Sequence, residues 1–392
     1  MCNESRAEYL TAIRSRYHAC SRKEQTAILN EFCSVCQYHR KYAIRLLNQK
    51  PRPTKSAADS KPGPKKRYDD PELLEVIFEL WQLTNLPCSK RLKAIIHLWL
   101  PHYRGIVSDK IKRLLMQISP ATIDRLLASS RIKYCKRGLT TTKPGSIIKK
   151  RIPIKTNQWD ETIPGFLEAD TVAHCGNSVA GMFVYTLNCV DLATGWTEQR
   201  AVWGKGEKGV TKAIKCIESS LPFPIRGFDC DNGSEFLNWH LLRFMTDRTQ
   251  PIQFTRARPY HSNDNAHIEN KNWTHIRQLL GYERFDQPQI VDQLNELFTS
   301  EWRLYLNFFI PSVKLVEKER LGSKVTKRHD QPKTPAQRVL ESKQIPETTK
   351  KLIRQQRESI DPFNIQKRMS KKISAIVKQA TKPQLTSIQK DQ

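Results

Sequence analysis

The sequence predicts a multidomain fold in which two all-α units precede an α/β unit with a mixed sheet and a small basic C-terminal module. At 392 residues the chain exceeds one ordinary core and allows roughly two to four domains. Apolar residues recur at helical spacing through 1–49 and 70–131, whereas β-rich runs alternate with helical segments through 158–285. Stretches rich in proline or basic residues, at 50–69 and 132–157, have the composition of linkers between these parts.

The first all-α unit, residues 1–49, has the pattern of a helix-turn-helix. Ser21 is a candidate N-cap with Glu24 three residues later, and a break near 34–37 leads into a helix over 38–48. The apolar stripe predicted for that last helix is Tyr42, Ile44, Leu46 and Leu47. Its candidate DNA contacts are the basic residues Arg40, Lys41 and Arg45. A plain helical bundle with a solvated basic face is the alternative that the residues leave open.

The second all-α unit, residues 70–131, ends in a helix with a clear start signal. Ser119 has the position of an N-cap and Pro120 that of the first helical residue, where its missing N–H costs nothing. Ser119, Thr122 and Arg125 would face outward from this helix and are candidate DNA contacts.

The charge of the chain favours a polyanionic partner. Lys and Arg number 66 against 39 acids, a formal net charge of +27, so binding to nucleic acid should weaken steeply with salt. No apolar run approaches the ~20 residues of a membrane span, and the N-terminus lacks an apolar signal core. We therefore expect a cytoplasmic, nucleoid-associated protein with reduced cysteines. Whether Cys33 and Cys36, a lone C-x-x-C, bind zinc or pack as small apolar residues stays open.

The α/β unit should contain five strands and three helices in the order β-β-β-α-β-α-β-α. The predicted strands lie near 165–174, 182–190, 196–203, 225–230 and 251–255, and the predicted helices span 207–220, 234–246 and 264–280. Residues 286–345 should contribute a helix, over about 290–306, and a small DNA-binding module. The basic tail, 346–392, is predicted to be partly disordered.

Three acids occupy the settings that a two-metal site needs. Asp170 lies in the first predicted strand, Asp231 follows the fourth, and Glu269 sits near the start of the last helix. Carboxylates placed in this way can converge on two Mg²⁺ ions, with Mn²⁺ as a substitute, about 3.5–4 Å apart. Four other acids compete with them. Glu168 is the most serious rival because it shares a strand face with Asp170, whereas turn or helix-start roles explain Asp191, Glu235 and Asp264.

Several motifs in order give this part of the chain a resemblance to a known group. They are Glu168-Ala-Asp170-Thr, Cys189-Val-Asp-Leu-Ala-Thr-Gly-Trp196, Asp231-Asn-Gly-Ser-Glu-Phe236 and Arg258-Pro-Tyr-His-Ser-Asn-Asp-Asn-Ala-His-Ile-Glu269. The segment 159–281 resembles the Asp-Asp-Glu catalytic core shared by retroviral integrases and bacterial insertion-sequence transposases. The interval from Asp231 to Glu269 is slightly longer than is usual for that group. The resemblance implies a ribonuclease H-like core with helices on both faces of a mixed sheet, and a small β-barrel as the C-terminal module.

The resemblance also implies an activity. A transposase of this type recognises terminal inverted repeats, cleaves them and joins the 3′ ends to target DNA by two-metal-ion transesterification, with Asp170, Asp231 and Glu269 as catalytic residues and metal ligands. It implies double-stranded DNA as partner and a homo-oligomer, dimer or tetramer, on that DNA. Further candidate DNA contacts near the site are Arg256, Arg258, Tyr260, Lys271 and His275. The alternatives are a ribonuclease H-like nuclease without strand transfer and a DNA-binding repressor with an inactive core.

Overall fold

The chain folds as two units, Met1–Lys66 and Arg67–Gln392, in a computed structural model. The structure describes residues 3–49, 67–105, 107–131, 162–231, 233–257, 266–321 and 324–380. None of the helices in these ranges is long and apolar enough to cross a membrane.

The first unit contains three helices, α1 (Asn3–Ala19), α2 (Arg22–Cys36) and α3 (Arg40–Asn48). The predicted capping box is confirmed, since the Ser21 amide donates to Glu24 Oε2 at 2.8 Å. The helices enclose a small apolar core that includes Phe32, Cys36 and Leu47. Burial raises the pKa of the Cys36 thiol, as expected for a cysteine packed among apolar neighbours.

The turn between α2 and α3 is tight. Gln37, the residue after α2, adopts a left-handed conformation (φ 56°), the position that glycine most often occupies at a helix end. The predicted apolar stripe of α3 is wrong at Tyr42 and Ile44, which are 40% and 38% exposed. The buried pair is Ala43 and Leu47, one turn apart, so that the small alanine lets α3 lie close to the core. Tyr42 and Ile44 therefore lie outside the core of the first unit.

The second unit begins with four helices, α4 (Pro71–Leu83), α5 (Ser89–Trp99), α6 (Asp109–Gln117) and α7 (Pro120–Arg131). The predicted start of α7 is confirmed: Pro120 is its first residue, and the Thr122 amide donates to Ser119 Oγ at 3.1 Å. These helices do not stand apart from the rest of the unit. Trp99 Nε1 donates to the Phe309 carbonyl at 3.4 Å, and the Tyr305 hydroxyl donates to the Leu83 carbonyl at 2.9 Å.

A five-stranded mixed sheet forms the centre of the second unit. The strands are β1 (Phe166–Ala173), β2 (Val184–Asp191), β3 (Thr197–Trp203), β4 (Gly227–Cys230) and β5 (Gln253–Arg256). Their order is β3-β2-β1-β4-β5; β1 pairs antiparallel with β2 and parallel with β4. The prediction of a mixed sheet is confirmed, and each strand lies within two residues of its predicted bounds.

Helices cover both faces of this sheet. Leu167 and Ala169 face α8 (Glu207–Ser220) and α9 (Trp239–Thr246), which contribute to the same apolar cluster. Val172, on the opposite face, belongs to a second cluster. That face is covered by α10 (Ala266–Lys271), which continues through a π-helical segment (Asn272–Arg277) into α11 (Gln278–Leu280), and by α12 (Gln289–Leu297), a second π-helical segment (Phe298–Trp302) and α13 (Arg303–Phe309).

The C-terminal part differs from its prediction in two ways. Instead of a small β-barrel, β6 (Leu315–Leu321) and β7 (Lys324–His329) form a two-stranded antiparallel pair, followed by α14 (Pro335–Glu341). The described part of the tail forms two helices, α15 (Glu347–Glu358) and α16 (Pro362–Ala380), and residues 381–392 lie outside the described ranges. Ile365, Met369 and Ile376, spaced by one or two helical turns, are buried in the main apolar cluster, and this burial stabilises a helix that the polar composition concealed.

Replacing Leu92 by Ala tests the shared core of helices and sheet. Leu92 on α5 is fully buried, so the change should destabilise the second unit by about 2–5 kcal/mol, through lost apolar burial and a cavity. The control is Leu352→Ala on α15, where the side chain is 65% exposed and the change should be nearly neutral. Urea unfolding followed by tryptophan fluorescence measures this unit selectively, because all tryptophans of the chain lie after residue 66. Equal effects of the two changes would contradict the shared core.

Candidate active site

Asp170 and Asp231 lie side by side at neighbouring parallel strands. In the parallel pairing of β1 with β4, Ala169 is opposite Cys230, so Asp170 and Asp231 are the next residues along the two segments. Asp170 belongs to a polar row that crosses the sheet, because it also pairs with Asn188 on β2, and Asn188 pairs with Gln199 on β3. This row lies on the face covered by α10 and the π-helical segment after it.

Side-chain amides along the row fix the Asp170 carboxylate from the side of the covering helix. Gln199 Nε2 donates to Asn188 Oδ1 at 3.0 Å, and Asn188 Nδ2 donates to Asn272 Oδ1 at 2.9 Å. Asn272 Nδ2 then donates to Asp170 Oδ2 at 2.6 Å, while the Thr171 amide donates to Asp170 Oδ1 at 2.7 Å. Both oxygens of Asp170 therefore have a defined partner, and the relay leaves each amide in one orientation.

Burial and charge oppose the ionisation of Asp170. Its pKa rises from 3.8 to about 7, first because the carboxylate is removed from water and next because the Asp231 carboxylate repels it. The hydrogen bonds from Thr171 and Asn272 act in the opposite direction but do not cancel the burial. A nearby cation would relieve this repulsion.

The turn after Asp231 brings a further carboxylate close to the pair. The Gly233 amide donates to Asp231 Oδ1 at 2.9 Å. A Cβ atom at Gly233 would lie 2.6 Å from Glu235 Oε2 and 2.9 Å from Asp231 Oδ1, so no larger residue fits without displacing these carboxylates. Glycine at this position therefore lets the carboxylates of Asp231 and Glu235 approach from two sides.

Glu235 is part of this site, and the prediction of a helix-start role for it is wrong. Helix α9 begins only at Trp239, capped by Asn238, and Glu235 lies before it with 2% of its surface exposed. Its Oε1 accepts from Thr171 Oγ1 at 2.8 Å and pairs with Lys205 Nζ at 2.8 Å. Although burial alone would lower it, the pKa of Lys205 is raised by the Glu235 carboxylate. Lys205 thus neutralises the third carboxylate of the site.

A second pair of acids, Glu168 and Asp229, lies two residues before Asp170 and Asp231 on the same face of the sheet. Glu168 pairs in register with Asp229, and Asp229 with Thr255, whose hydroxyl donates to Asp229 Oδ1. Glu168 is fully buried, and a backbone hydrogen bond from Ile268 on α10 favours the charged form of its carboxylate. Burial, and then the charge of Asp229, raises the pKa of Glu168 well above its ordinary value.

Glu269 lies on the covering helix, three residues before Asn272 and hence about one turn away. Its side chain is more exposed than those of the two aspartates, and burial alone raises its pKa. Among the described residues, no three His, Cys, Asp or Glu side chains lie close enough together to hold a metal ion. The oxygen donors and mutual repulsion of Asp170 and Asp231 fit a hard divalent cation; Glu269 is on the facing element but is not gathered with them.

The competing acid Asp191 has the turn role predicted for it. Its carboxylate accepts from the Gly165 amide at 2.8 Å and from the Thr194 amide and hydroxyl at 2.7 and 2.6 Å. Asp264, the other competitor, lies outside the described residues.

The candidate DNA contacts near the site fall in different environments. Arg256, at the end of β5, is largely buried. His275 is 4% exposed and lies edge-on to Trp302, so its position favours a role inside the protein, and its neighbour Lys271 donates to it across 3.4 Å. Arg258 and Tyr260 lie outside the described residues.

The candidate contacts on the helical units lie at the surface. Ser119 and Arg125 are exposed and are joined through Thr122, whose hydroxyl is 2.9 Å from Ser119 Oγ and 3.2 Å from Arg125 Nη2. In the first unit, Lys41 is exposed, Arg45 lies over the Tyr42 ring at 5.0 Å and Arg40 donates to Asn30. Their roles in DNA binding remain predictions.

Sequence reasoning missed Asn272, Lys205 and the amides of the polar row. The signal for Asn272 was available, since it follows Glu269 by three residues and so shares a helix face with it. Lys205, in contrast, lies far along the chain in an ordinary Gly-Lys-Gly turn. Only the pairing of the strands brings it to Glu235.

Replacing Asp170 by Asn should change how stability depends on pH. In the folded chain Asp170 keeps its proton up to about pH 7, whereas the unfolded chain loses it near 3.8, so the wild type loses stability as pH rises between these values. The asparagine of the variant cannot titrate, and its amide has the same unfavourable contact with the Asn272 amide at every pH. In urea unfolding without metal, the free energy of unfolding of the variant relative to that of wild type should therefore be higher at pH 8 than at pH 5.

The control for this measurement is Asp109→Asn, because the Asp109 side chain is 91% exposed. It should follow wild type at both pH values. A constant difference between the Asp170 variant and wild type would contradict the raised pKa.

Comparison with known proteins gives one informative result. No protein-family model matches the chain. Over 341 residues the chain is 38% identical to the uncharacterized protein y4rM of Sinorhizobium fredii (strain NBRC 101917 / NGR234), and the alignment covers 85% of this chain and 95% of that protein. With this identity over nearly the whole of both proteins, the chain belongs to the same family as y4rM.

Proposed function

We propose that the chain is a DNA transposase that recognises terminal inverted repeats, cleaves them and joins the 3′ ends to target DNA. The observation that carries this proposal is the pair Asp170–Asp231 on adjacent parallel strands, beneath the helix that carries Glu269. The order β-β-β-α-β-α-β-α and the mixed sheet covered on both faces agree with a ribonuclease H-like core.

Asp170, Asp231 and Glu269 would hold two Mg²⁺ ions, or Mn²⁺. Bound there, the ions would supply an activated water or 3′-hydroxyl and charge relief at the leaving oxygen. The residues of the chain orient the ligands. Thr171 and Asn272 hold the two oxygens of Asp170, the Gly233 amide holds Asp231, and Lys205 keeps Glu235 turned towards Thr171.

DNA recognition is assigned to the helical units. The open face of α3 combines aromatic Tyr42 with Arg45, and the start of α7 presents Ser119, Thr122 and Arg125. Such a surface suits a helix in the major groove, where short polar side chains and arginine read base edges and phosphates. The net charge of +27 would supply the non-specific part of the affinity.

Transposition also demands more than one copy of the chain. One group of three carboxylates processes one strand at one end, whereas joining an element to target DNA involves two ends and both target strands. We therefore propose a dimer or tetramer assembled on paired ends.

One assay separates this function from its two alternatives. With Mg²⁺ and a labelled duplex carrying the terminal repeat, a transposase yields cut and joined products, a nuclease without strand transfer yields only cut product, and a repressor with an inactive core yields only a shifted band. The buried, hydrogen-bonded arrangement of Asp170 favours an active core over an inactive one.

Asp170→Asn, Asp231→Asn and Glu269→Gln should each abolish cleavage and joining and leave binding of the terminal repeat intact. Each change removes a ligand charge, whereas the helical units are far along the chain from the altered residue. Addition of EDTA to wild type should have the same effect. Normal cleavage by any one variant would remove that residue from the site, and loss of DNA binding in the Asn or Gln variants would indicate a folding defect instead.

Arg40→Ala and Arg45→Ala should weaken binding of the terminal repeat by the full chain more than they weaken binding of random duplex. A lost base contact costs about 1–3 kcal/mol of discrimination. The matched control is Arg22→Ala, an exposed arginine at the start of α2. Fluorescence anisotropy at several salt concentrations measures both affinities. An equal loss for both duplexes would assign these arginines to phosphates rather than bases.

A further inference from the structure

Two aromatic side chains are exposed beside the candidate active site. Trp273 lies in the π-helical segment, about one turn after Glu269. It directly follows Asn272, which donates to Asp170. Tyr282 lies just beyond α11. Trp273 is 39% and Tyr282 is 38% exposed, and their ring centroids are 6.4 Å apart with an angle of 44° between the ring planes. The two rings therefore form one exposed patch close to the carboxylates.

Arg277 holds the Tyr282 ring in place. Its guanidinium carbon lies 4.9 Å from the centroid of that ring, a cation–π contact, and its Nη2 donates to the Ala173 carbonyl at 2.9 Å. Ala173 is the last residue of β1, three residues after Asp170. Gly281, with φ at 71°, ends the helix and lets the chain turn so that Tyr282 returns to Arg277. The ring is thus tied to the strand that carries a proposed metal ligand.

The apolar core does not account for these rings. Within the described residues, Ile276 and Leu280 of the same segment belong to the main apolar cluster, whereas Trp273 and Tyr282 contribute to none of the clusters. Both rings keep more than a third of their surface in water. Neighbouring exposed aromatic groups with polar residues around them are a common mark of a binding surface. We call Trp273, Arg277 and Tyr282 the aromatic surface.

We propose that the aromatic surface binds an unpaired base of a DNA strand whose backbone lies at the carboxylates. Aromatic side chains stack with bases of any sequence, because every base presents a flat π face. The arginine against the Tyr282 ring keeps that ring in one orientation before the ligand arrives. A base inside a duplex has both faces covered by its neighbours, so only a base that has left the helix can stack on Trp273.

Position and charge favour a DNA strand over other flat ligands. Trp273 is on the segment that carries Glu269, and Arg277 is anchored at the end of β1, the strand of Asp170. A strand processed at these carboxylates therefore passes along the aromatic surface. The formal net charge of +27 also favours a polyanion. This choice of ligand rests on the proposed function, whereas the exposure of the two rings does not.

The first test compares two single strands that differ only in their bases. A thymidine oligomer and an abasic oligomer of the same length carry the same phosphates, so the difference between their affinities for the full chain reports contacts to bases. Trp273→Ala should weaken binding of the thymidine oligomer about five- to 150-fold, the loss expected for one stacked base, and leave binding of the abasic oligomer unchanged. Tyr282→Ala should show the same selective loss, whereas Trp273→Phe keeps a ring and should retain most of the affinity. Fluorescence anisotropy of labelled oligomers in EDTA measures both affinities.

Two controls protect this test. Trp239→Ala removes another exposed tryptophan, at the start of α9 on the opposite face of the sheet, and should bind both oligomers as wild type does. Because the Trp273 ring is not part of the core, Trp273→Ala should unfold in urea at the midpoint of wild type. Equal affinity of wild type for the two oligomers overturns the proposal, and so does an equal loss in Trp273→Ala and Trp239→Ala.

The second test separates stacking from a phosphate contact. For single strands, each phosphate contact contributes about −0.7 to the slope of the logarithm of affinity against the logarithm of salt concentration. Trp273→Ala should keep the slope of wild type for the thymidine oligomer, because a stacked ring carries no charge. A shallower slope in this variant would assign the tryptophan to the position of the backbone and overturn stacking. Both measurements are made without metal, so absence of cleavage by wild type would count against the proposed function alone.

Discussion

Repulsion between buried carboxylates is the constraint around which the second unit is organised. Asp170 lies beside Asp231 on one level of the sheet, and Glu168 lies beside Asp229 on the level below. Carboxylates in such a row tolerate burial only when they keep a proton, accept hydrogen bonds or gain a cation. Each surrounding feature supplies one of these: the amides of Asn272 and Thr171 for Asp170, and Lys205 for Glu235. The site is thus a cost to stability that the surrounding sheet and helices offset.

The covering helix departs from regular α geometry where it meets these carboxylates. The π-helical segment begins at Asn272, the residue that reaches Asp170, and ends at Arg277, after the buried His275, which lies edge-on to Trp302, and the buried Ile276. Single π-helical turns inside α-helices are frequent at functional sites, and the wider turn changes the direction of the side chains around it. Here one short segment serves the carboxylates on one side and the apolar core on the other.

Local sequence patterns predicted most of the helices and strands, whereas the composition of the site depends on long-range packing. Strand periodicity and the Ser21 and Ser119 caps follow from residues close together in the chain, whereas the adjacency of Asp170 and Asp231 depends on the parallel pairing of β1 with β4. Lys205 and Asn272 reach the site only through strand order and helix docking, which no local spacing reports. The C-terminal helices were not predicted for the same reason: Ile365 and Met369 are buried against residues that lie far away in the sequence. Tyr42 shows the opposite error: its apolar character predicted burial, but the side chain is exposed because the core of the first unit is formed by other residues.

The covering helix carries opposite electrostatic demands on consecutive residues. Asn272 donates to Asp170, whose carboxylate is repelled by that of Asp231. At the preceding residue, burial and then the charges of Arg91 and Arg338 lower the pKa of Lys271 to about 7. Both are costs to the stability of the free chain. Apolar packing offsets them, because Ile276 and Leu280, further along the same covering segment, are buried in the main apolar cluster.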